Sequence, residues 1–280
     1  MIQVDDKVLA DIDRGFSVPA QPELLLKLQK LMSAREPDLN RIADTIAQDV
    51  AVSATILKTI NSPLYGLARS ISDIKKSVRY IGLAGIITLV TSSLLKRSFK
   101  DKKASIPLDD FWNNSSNIAN SAVFIAKRLK KRISSEKLFT LGLFHDCGIP
   151  VMAMKYENYR STLTQAEQTP SETLPEIEDK AYNVNHATIG YYVATSWRLP
   201  VDICQLILRH HEREFLDKID GSADQLSFAV LKLAENIVYQ HKHFRESADW
   251  PFLKDSVLTV LDIDEDDIAD LVEDLNEQLI

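Results

Sequence analysis

Phe139–Tyr156 reads FTLGLFHDCGIPVMAMKY, a run in which His145 and Asp146 sit side by side inside otherwise apolar sequence. Adjacent residues on a helix do not face the same way. The pair can therefore serve one ion only where the backbone turns, and Gly148, two residues on, permits a turn. An apolar run of this length carries the pair inward, where an unpaired polar group is costly. The two residues must then satisfy each other, water or an ion.

Outward from this stretch the chain reads as helix. Pro22 suits the first turn of a helix, and Leu24, Leu25, Leu28, Leu31 and Met32 form one apolar stripe. Asp38 is placed to cap a second helix, with Leu39, Ile42, Ala43 and Ile46 on one face. A third helix, VSATILKTI, ends at NSPLYG, where Pro63 disfavours helical geometry at Ser62. A short helix, ISDIKKSVRYI, and a longer one from Leu83 to about Leu95 complete this group. The latter's apolar residues spread over more than one face, which predicts a buried central helix. It is too short and too rich in hydroxyl residues for a membrane span.

The polar, basic stretch KRSFKDKKASIP reads as an exposed boundary. Beyond it, LDDFWNNSSNIANSAVFIAKRLKK predicts one long helix buried through Phe111, Ile118, Ala122, Ile125, Ala126 and Leu129. QTPSETLPEIEDK reads as a loop with a helical fragment. Helices follow over Ala187–Trp197, Val201 to about His211, and Ala223–Tyr239. The acidic tail DEDDIADLVEDLNEQLI places Ile268, Leu271, Val272, Leu275 and Leu279 at helical spacing. The expected fold is all-α and two-lobed: an N-terminal helical lobe over 1–104, then a second lobe over 105–280 that ends in the acidic helix.

The 280 residues include 40 acidic and 33 Lys or Arg, for a net charge of -7, which disfavours non-specific nucleic-acid binding. The basic runs KRLKKR and KRSFKDKK lack aromatic interleaving and read as solvated faces. Cys147 and Cys204 form no disulfide framework and read as small buried residues in a reducing compartment. The start, MIQVDDKVLADIDRG, has no basic-then-apolar leader, so no signal peptide is expected. No Gly-rich phosphate loop, G-x-S-x-G or H-E-x-x-H is present.

Six histidines occur, and four of them lie in or beside apolar helices: His145, His186, His210 and His211. Imidazole and carboxylate suit Fe, Mn, Zn or similar divalent ions, and facing helices of a bundle can assemble such ligands. Blander roles stay open on local sequence alone. His145 can be a buried contact with Asp146 as its hydrogen-bond partner. His186 can open a helix, and His210–His211 can close one favourably against the helix dipole. His241 and His243 read as a solvated helix end.

Three separated segments, in this order, resemble the HDOD family, the HD-related output domains of bacterial signalling proteins. The first runs from LLLKLQKLM to GLAGIITLV and carries Asn61, Ser62, Tyr65 and Gly66, then Ser77, Val78, Tyr80, Ile81 and Gly82. The second is LFTLGLFHDCGIPVM, similar to G-L-L-H-D-I-G. The third is NHATIGYYVATSWRLPVDICQLILRHHE, similar to H-x-x-x-G, W-x-L-P and H-H. The resemblance covers about Pro19 to Tyr239 and leaves the tail from about Trp250 unexplained.

That resemblance implies the HD lobe of metal-dependent phosphohydrolases, including HD-GYP relatives, in degenerate form. His145, Asp146, His186, His210 and His211 match ligand positions. Asn114 stands where a first histidine is implied, and Glu235 where a distant aspartate is. A neutral amide is a weaker ligand than imidazole for a transition metal, and an added methylene displaces a carboxylate that such a site holds tightly.

The resemblance implies a non-enzymatic bacterial regulator, cytoplasmic, acting through protein–protein contacts with signalling proteins. No sensor, receiver or DNA-binding segment is visible, so partners are expected in trans or through the tail. Neither a membrane nor nucleic acid is expected as a partner, and a nucleotide ligand stays open. The cofactor is none or a divalent metal (Fe, Mn, Zn or Ni) at a degenerate site, with His145, Asp146, His186, His210, His211 and Glu235 as its candidate ligands. The alternative is an HD-type phosphohydrolase or cyclic-dinucleotide phosphodiesterase using the same residues.

Overall fold

The computed structural model describes residues 12, 14–62, 65, 67, 69–100 and 102–279, with side chains to 276. All regular structure among them is helical, with no strand. The chain divides into two units: Pro19–Lys100, and the residues up to Val18 together with Asp101–Ile280. Phe16 belongs to the second, with its ring edge on Tyr156 and the Lys155 ammonium over its face.

The smaller unit holds α1 (Glu23–Met32), α2 (Leu39–Ala47), α3 (Val50–Ile60) and α4 (Ile74–Ser98). Aspartates begin three of them. Asp38 accepts from the amides of Asn40 and Arg41, Asp49 from that of Val52, and Asp73 from that of Lys76. Each satisfies donors that a helix start leaves unpaired. Pro22 precedes the first helical residue of α1. Leu25 and Leu28 of the predicted stripe are buried and its other members half-buried, while Leu39 is exposed, unlike Ile42, Ala43 and Ile46.

Asn61 links its side-chain amide to both the N–H and the C=O of Ile71, each at 2.8 Å, and so closes the loop after α3. Pro63 and Gly66 of that loop lie outside the described residues. Within α4 the backbone breaks at Gly82, where φ is 77°, so the short and long helices predicted from sequence meet there. α4 is long and apolar enough by composition to cross a membrane. It packs on α2 and α3, with Ile86, Leu89, Val90, Leu94 and Leu95 buried. The boundary stretch is not uniformly exposed, because Phe99 is fully buried.

The larger unit is built on α5 (Leu108–Arg128), α6 (Ser135–Phe144) and α12 (Ala223–His243). Between α6 and α12 come α7 (Gly148–Lys155), α8 (Tyr159–Gln168), α9 (Leu174–Tyr182), α10 (His186–Ser196) and α11 (Val201–Arg209), and a 3-10 turn, Arg213–Leu216. α8 is a helix that the sequence reading does not anticipate, and α9 is longer than the expected fragment. α13 (Trp250–Leu261) is also unanticipated, and α14 (Glu265–Leu279) is the acidic tail.

α14 packs Leu271 and Leu275 toward α5, and its Asp274 binds Arg128 of the basic run at 2.7 Å. That run is therefore partly answered by the acidic helix. The side chain of Leu279 lies outside the described residues.

Candidate metal centre

α6 stops at Phe144 and α7 starts at Gly148, so His145 and Asp146 occupy the turn between two helices. The turn sits hard against the start of α10. A Cβ on Gly148 would lie 2.0 Å from the His186 carbonyl oxygen and 2.8 Å from the Gly190 nitrogen. Only glycine permits this approach, and the approach brings the Asp146 carboxylate to His186. Cys147, fully buried beside it, meets the Gly190 carbonyl through Sγ at 3.6 Å. Burial pushes its thiol well up, and pushes Cys204 up to about 12, so both act as core residues.

Four imidazoles are anchored by Nδ1. His145 Nδ1 meets the Gly142 carbonyl at 2.8 Å and His210 Nδ1 the Ile207 carbonyl at 2.7 Å. His186 Nδ1 meets Glu178 Oε2 at 2.7 Å, and His211 Nδ1 meets Asp249 Oδ2 at 2.8 Å. Such partners fix the tautomer and leave Nε2 for the centre. His210 Nε2 lies 3.0 Å from Asp146 Oδ1 and 3.3 Å from His186 Nε2, which is itself 3.3 Å from Asp146 Oδ1.

Ligand atoms of Asp146, His186, His210 and His211 all fall within 4.8 Å of one another, and this group could hold a metal ion. Three imidazoles and a carboxylate suit a divalent transition ion. His211 Nε2 is buried with no hydrogen-bond partner among the described residues, which fits a metal ligand.

His145 and Glu235 stand beside this group. His145 Nε2 lies 3.2 Å from Asp146 Oδ2 and 3.1 Å from Glu235 Oε1. Glu235 Oε2 takes the Lys232 ammonium at 2.8 Å. Asn114 lines the same cavity, of about 580 Å³, as His145, Asp146, His211 and Glu235. His241 and His243 lie at the exposed end of α12.

Burial opposes charge on every one of these imidazoles, and the neighbours decide which of them keep it. His186 rises to about 10 because Glu178 and Asp146 outweigh its burial. His145 rises because Asp146 and Glu235 do the same. His210 falls to about 3, where burial and His211 prevail over Asp146, and His211 falls to about 4 despite Asp249. Burial raises Asp146, yet His145, His186 and His210 together hold it well below the usual carboxylate range.

The residues that sequence reasoning misses are the anchors. Glu178 is fully buried, and it accepts from the His186 backbone and from the Tyr159 hydroxyl as well as from the imidazole. Asp249 joins His211 to Arg213, whose Nη2 is 3.2 Å from Oδ1. Lys232 is 3% exposed inside an ion network. Glu178 and Lys232 give one local signal, a charge at a core-facing helix position, and Asp249, the residue before α13, gives none of that kind.

A helical domain folded around an inward His/Asp cluster of this kind is an HD-type domain. The HDOD domain matches residues 18–213, and the chain belongs to that family. Membership supports a regulatory role with a residual metal-site geometry. The match ends before α12, so Lys232, Glu235 and Asp249 are supplied from beyond it.

An uncharacterized protein of Treponema pallidum (strain Nichols) is 29% identical over 210 residues. That similarity spans 73% of this chain and 40% of the relative, so the chain matches less than half of the relative's length. A solved HDOD domain protein of unknown function from Geobacter sulfurreducens aligns with a TM-score of 0.66 at 21% identity, over 98% of both chains. A protein of Shewanella amazonensis SB2B, named as a suspected phosphohydrolase, aligns with a TM-score of 0.69 at 20% identity, over 97% of this chain and 94% of that one. At these identities the likeness is one of fold.

Proposed function

We propose that this chain is a non-enzymatic regulatory HDOD protein of bacterial signal transduction, working in the cytoplasm through protein–protein contacts. Its HD-type centre is a structural element that takes one divalent ion through Asp146, His186, His210 and His211. His145 and Glu235 complete the surroundings of the ion. The observation that carries this reading is the state of Glu235 and Asn114. Glu235 spends both oxygens on His145 and Lys232, and Asn114 offers the same cavity only a neutral amide. The binding surface is assigned to the smaller unit, Pro19–Lys100, where the exposed Leu26, Leu39, Val50 and Tyr80 supply apolar contacts.

Hydrolysis assays against cyclic dinucleotides and nucleotides, with Fe, Mn, Zn or Ni supplied singly, test the reading. No turnover above that of Asp146→Asn is expected, while affinity capture with the intact chain returns a reproducible partner. Metal-dependent turnover that Asp146→Asn abolishes overturns it. One feature favours that second, phosphohydrolase reading: the cavity over His145 and Asp146 is of a size that accepts a nucleotide. In such an enzyme the metal lowers the pKa of bound water and polarises a phosphoryl oxygen.

A further inference from the structure

We propose that Lys232 acts as a resident cation that closes the Glu235–Asp249 side of the centre to a second metal ion and so fixes the site as mononuclear. The proposal rests on the metal reading given above and adds to it a limit on stoichiometry, set by a residue outside the matched family segment.

Of the carboxylates that line the same cavity beyond Asp146, Glu235 and Asp249 are the two paired with the centre's imidazoles. Together with His145 and His211 they make a second set of imidazole and carboxylate groups beside the first. Such a set would ordinarily invite a second divalent ion. Here each carboxylate oxygen already has a cationic or imidazole partner. Glu235 Oε1 faces His145 Nε2 at 3.1 Å, and Oε2 takes Lys232 Nζ at 2.8 Å. Asp249 Oδ2 accepts from His211 Nδ1 at 2.8 Å with Lys232 Nζ 3.9 Å away, and Oδ1 accepts from Arg213 at 3.2 Å.

A metal needs its carboxylate oxygens at about 2.0–2.2 Å, and a second ion would have to displace Lys232 to reach them. Displacement is hindered because Lys232 is 3% exposed and rises from α12 one turn before Glu235. Its ammonium cannot swing into water without leaving the core, and an ion placed beside it would meet like charge in a region of weak screening. A fixed charge one covalent stem long thus takes the place of an exchangeable one.

The test uses the full-length chain, stripped with chelator and then titrated with Mn²⁺ alone. Bound Mn²⁺ is counted by elemental analysis, and electron paramagnetic resonance separates isolated from spin-coupled ions. Wild type is expected to take one Mn²⁺ with an isolated-ion spectrum. Lys232→Met should take a second, with a coupled spectrum, and Lys232→Arg should stay at one. Lys232→Gln keeps a polar partner for Glu235 and gives the same answer as Lys232→Met should the latter fold poorly.

Unchanged stoichiometry in folded Lys232→Gln, or two ions in wild type, overturns the proposal. If wild type takes none and Lys232→Gln takes one, the wild-type metal reading falls and the mononuclear assignment falls with it. If neither takes any, both fall. One ion in wild type and one in Lys232→Gln leaves the metal reading intact and removes the inference.

Discussion

Gly148→Ala tests whether the contact between the His145–Asp146 turn and α10 assembles the centre. The added Cβ would sit 2.0 Å from the His186 carbonyl oxygen, whereas ordinary contact begins at 3.4 Å. The obstacle is backbone, so no rotamer change relieves it. α7 and the start of α10 must therefore separate by about 1.4 Å, the difference between those two distances. A designed metal or catalytic constellation tolerates about 0.5 Å, so the movement carries His186 out of reach of an ion held by Asp146.

The stability cost is that of overpacking against an element that cannot yield, about 3 kcal/mol. In a unit of this size that is a fall of roughly 6–12 °C in Tm. Gly190→Ala is the internal comparison. Its Cβ meets only the Ile207 side-chain methyl at 3.1 Å before the Gly148 nitrogen at 3.4 Å, and it should cost about 1 kcal/mol. Thermal melts and bound-metal analysis of both variants give the assay. A Gly148→Ala protein with wild-type Tm and wild-type metal content would refute the reasoning.

Other outcomes follow from the same geometry. Without metal, His210 and His211, at about 3 and 4 against an ordinary 6.5, stay neutral when folded and protonate when unfolded. Their contribution is present above pH 6.5 and is lost as pH falls. His186, at about 10, contributes below pH 6.5 and loses that contribution as pH rises through 10. Melts in chelator should therefore peak near neutrality, and a Tm that climbs steadily to pH 10 would contradict this. Glu178→Gln leaves His186 without its buried carboxylate and should cost about 3–5 kcal/mol, with metal affinity down roughly 10–100-fold, both read by melts and titration. Asp49→Ala removes the N-cap of α3 and the partner of Arg97 at 2.8 Å. It should cost about 1–2 kcal/mol, read as a shifted denaturation midpoint.

The parts of the centre that sequence discloses are those with their own local grammar. His145–Asp146 is readable because two polar residues interrupt an apolar run and a glycine follows. His186 and His210–His211 are readable because each adjoins an apolar helix, and Asn114 and Glu235 through the resemblance. Glu178 is unreadable because LPEIEDK looks like any amphipathic helix with a wet acidic face, and the residues that bury it, Tyr159 and His186, are 19 and 8 positions away. Asp249 has its partners 38 and 36 residues back. α13 escapes because WPFLKDSVLTVL mixes faces. Leu253, Val257 and Leu261 are buried on one side while Phe252 is exposed on another.

The anchors that escape sequence reading also determine what an ion would do here. With Nδ1 of His145, His186, His210 and His211 each held by a carbonyl or carboxylate, no ring can turn its Nε2 away from Asp146 or its neighbours. His210, kept neutral by its burial, aims a lone pair at a carboxylate oxygen 3.0 Å away. His211 Nε2 has no hydrogen-bond partner among the described residues. An ion satisfies all of these at once, and its binding energy is therefore folding energy. Mn²⁺ or Zn²⁺ at 100 times its dissociation constant adds about 2.7 kcal/mol, or roughly 5–10 °C in Tm. A metal that stabilises the lobe to that extent without turning over a phosphate ester is a structural ligand, and its loss shortens the lifetime of the folded lobe.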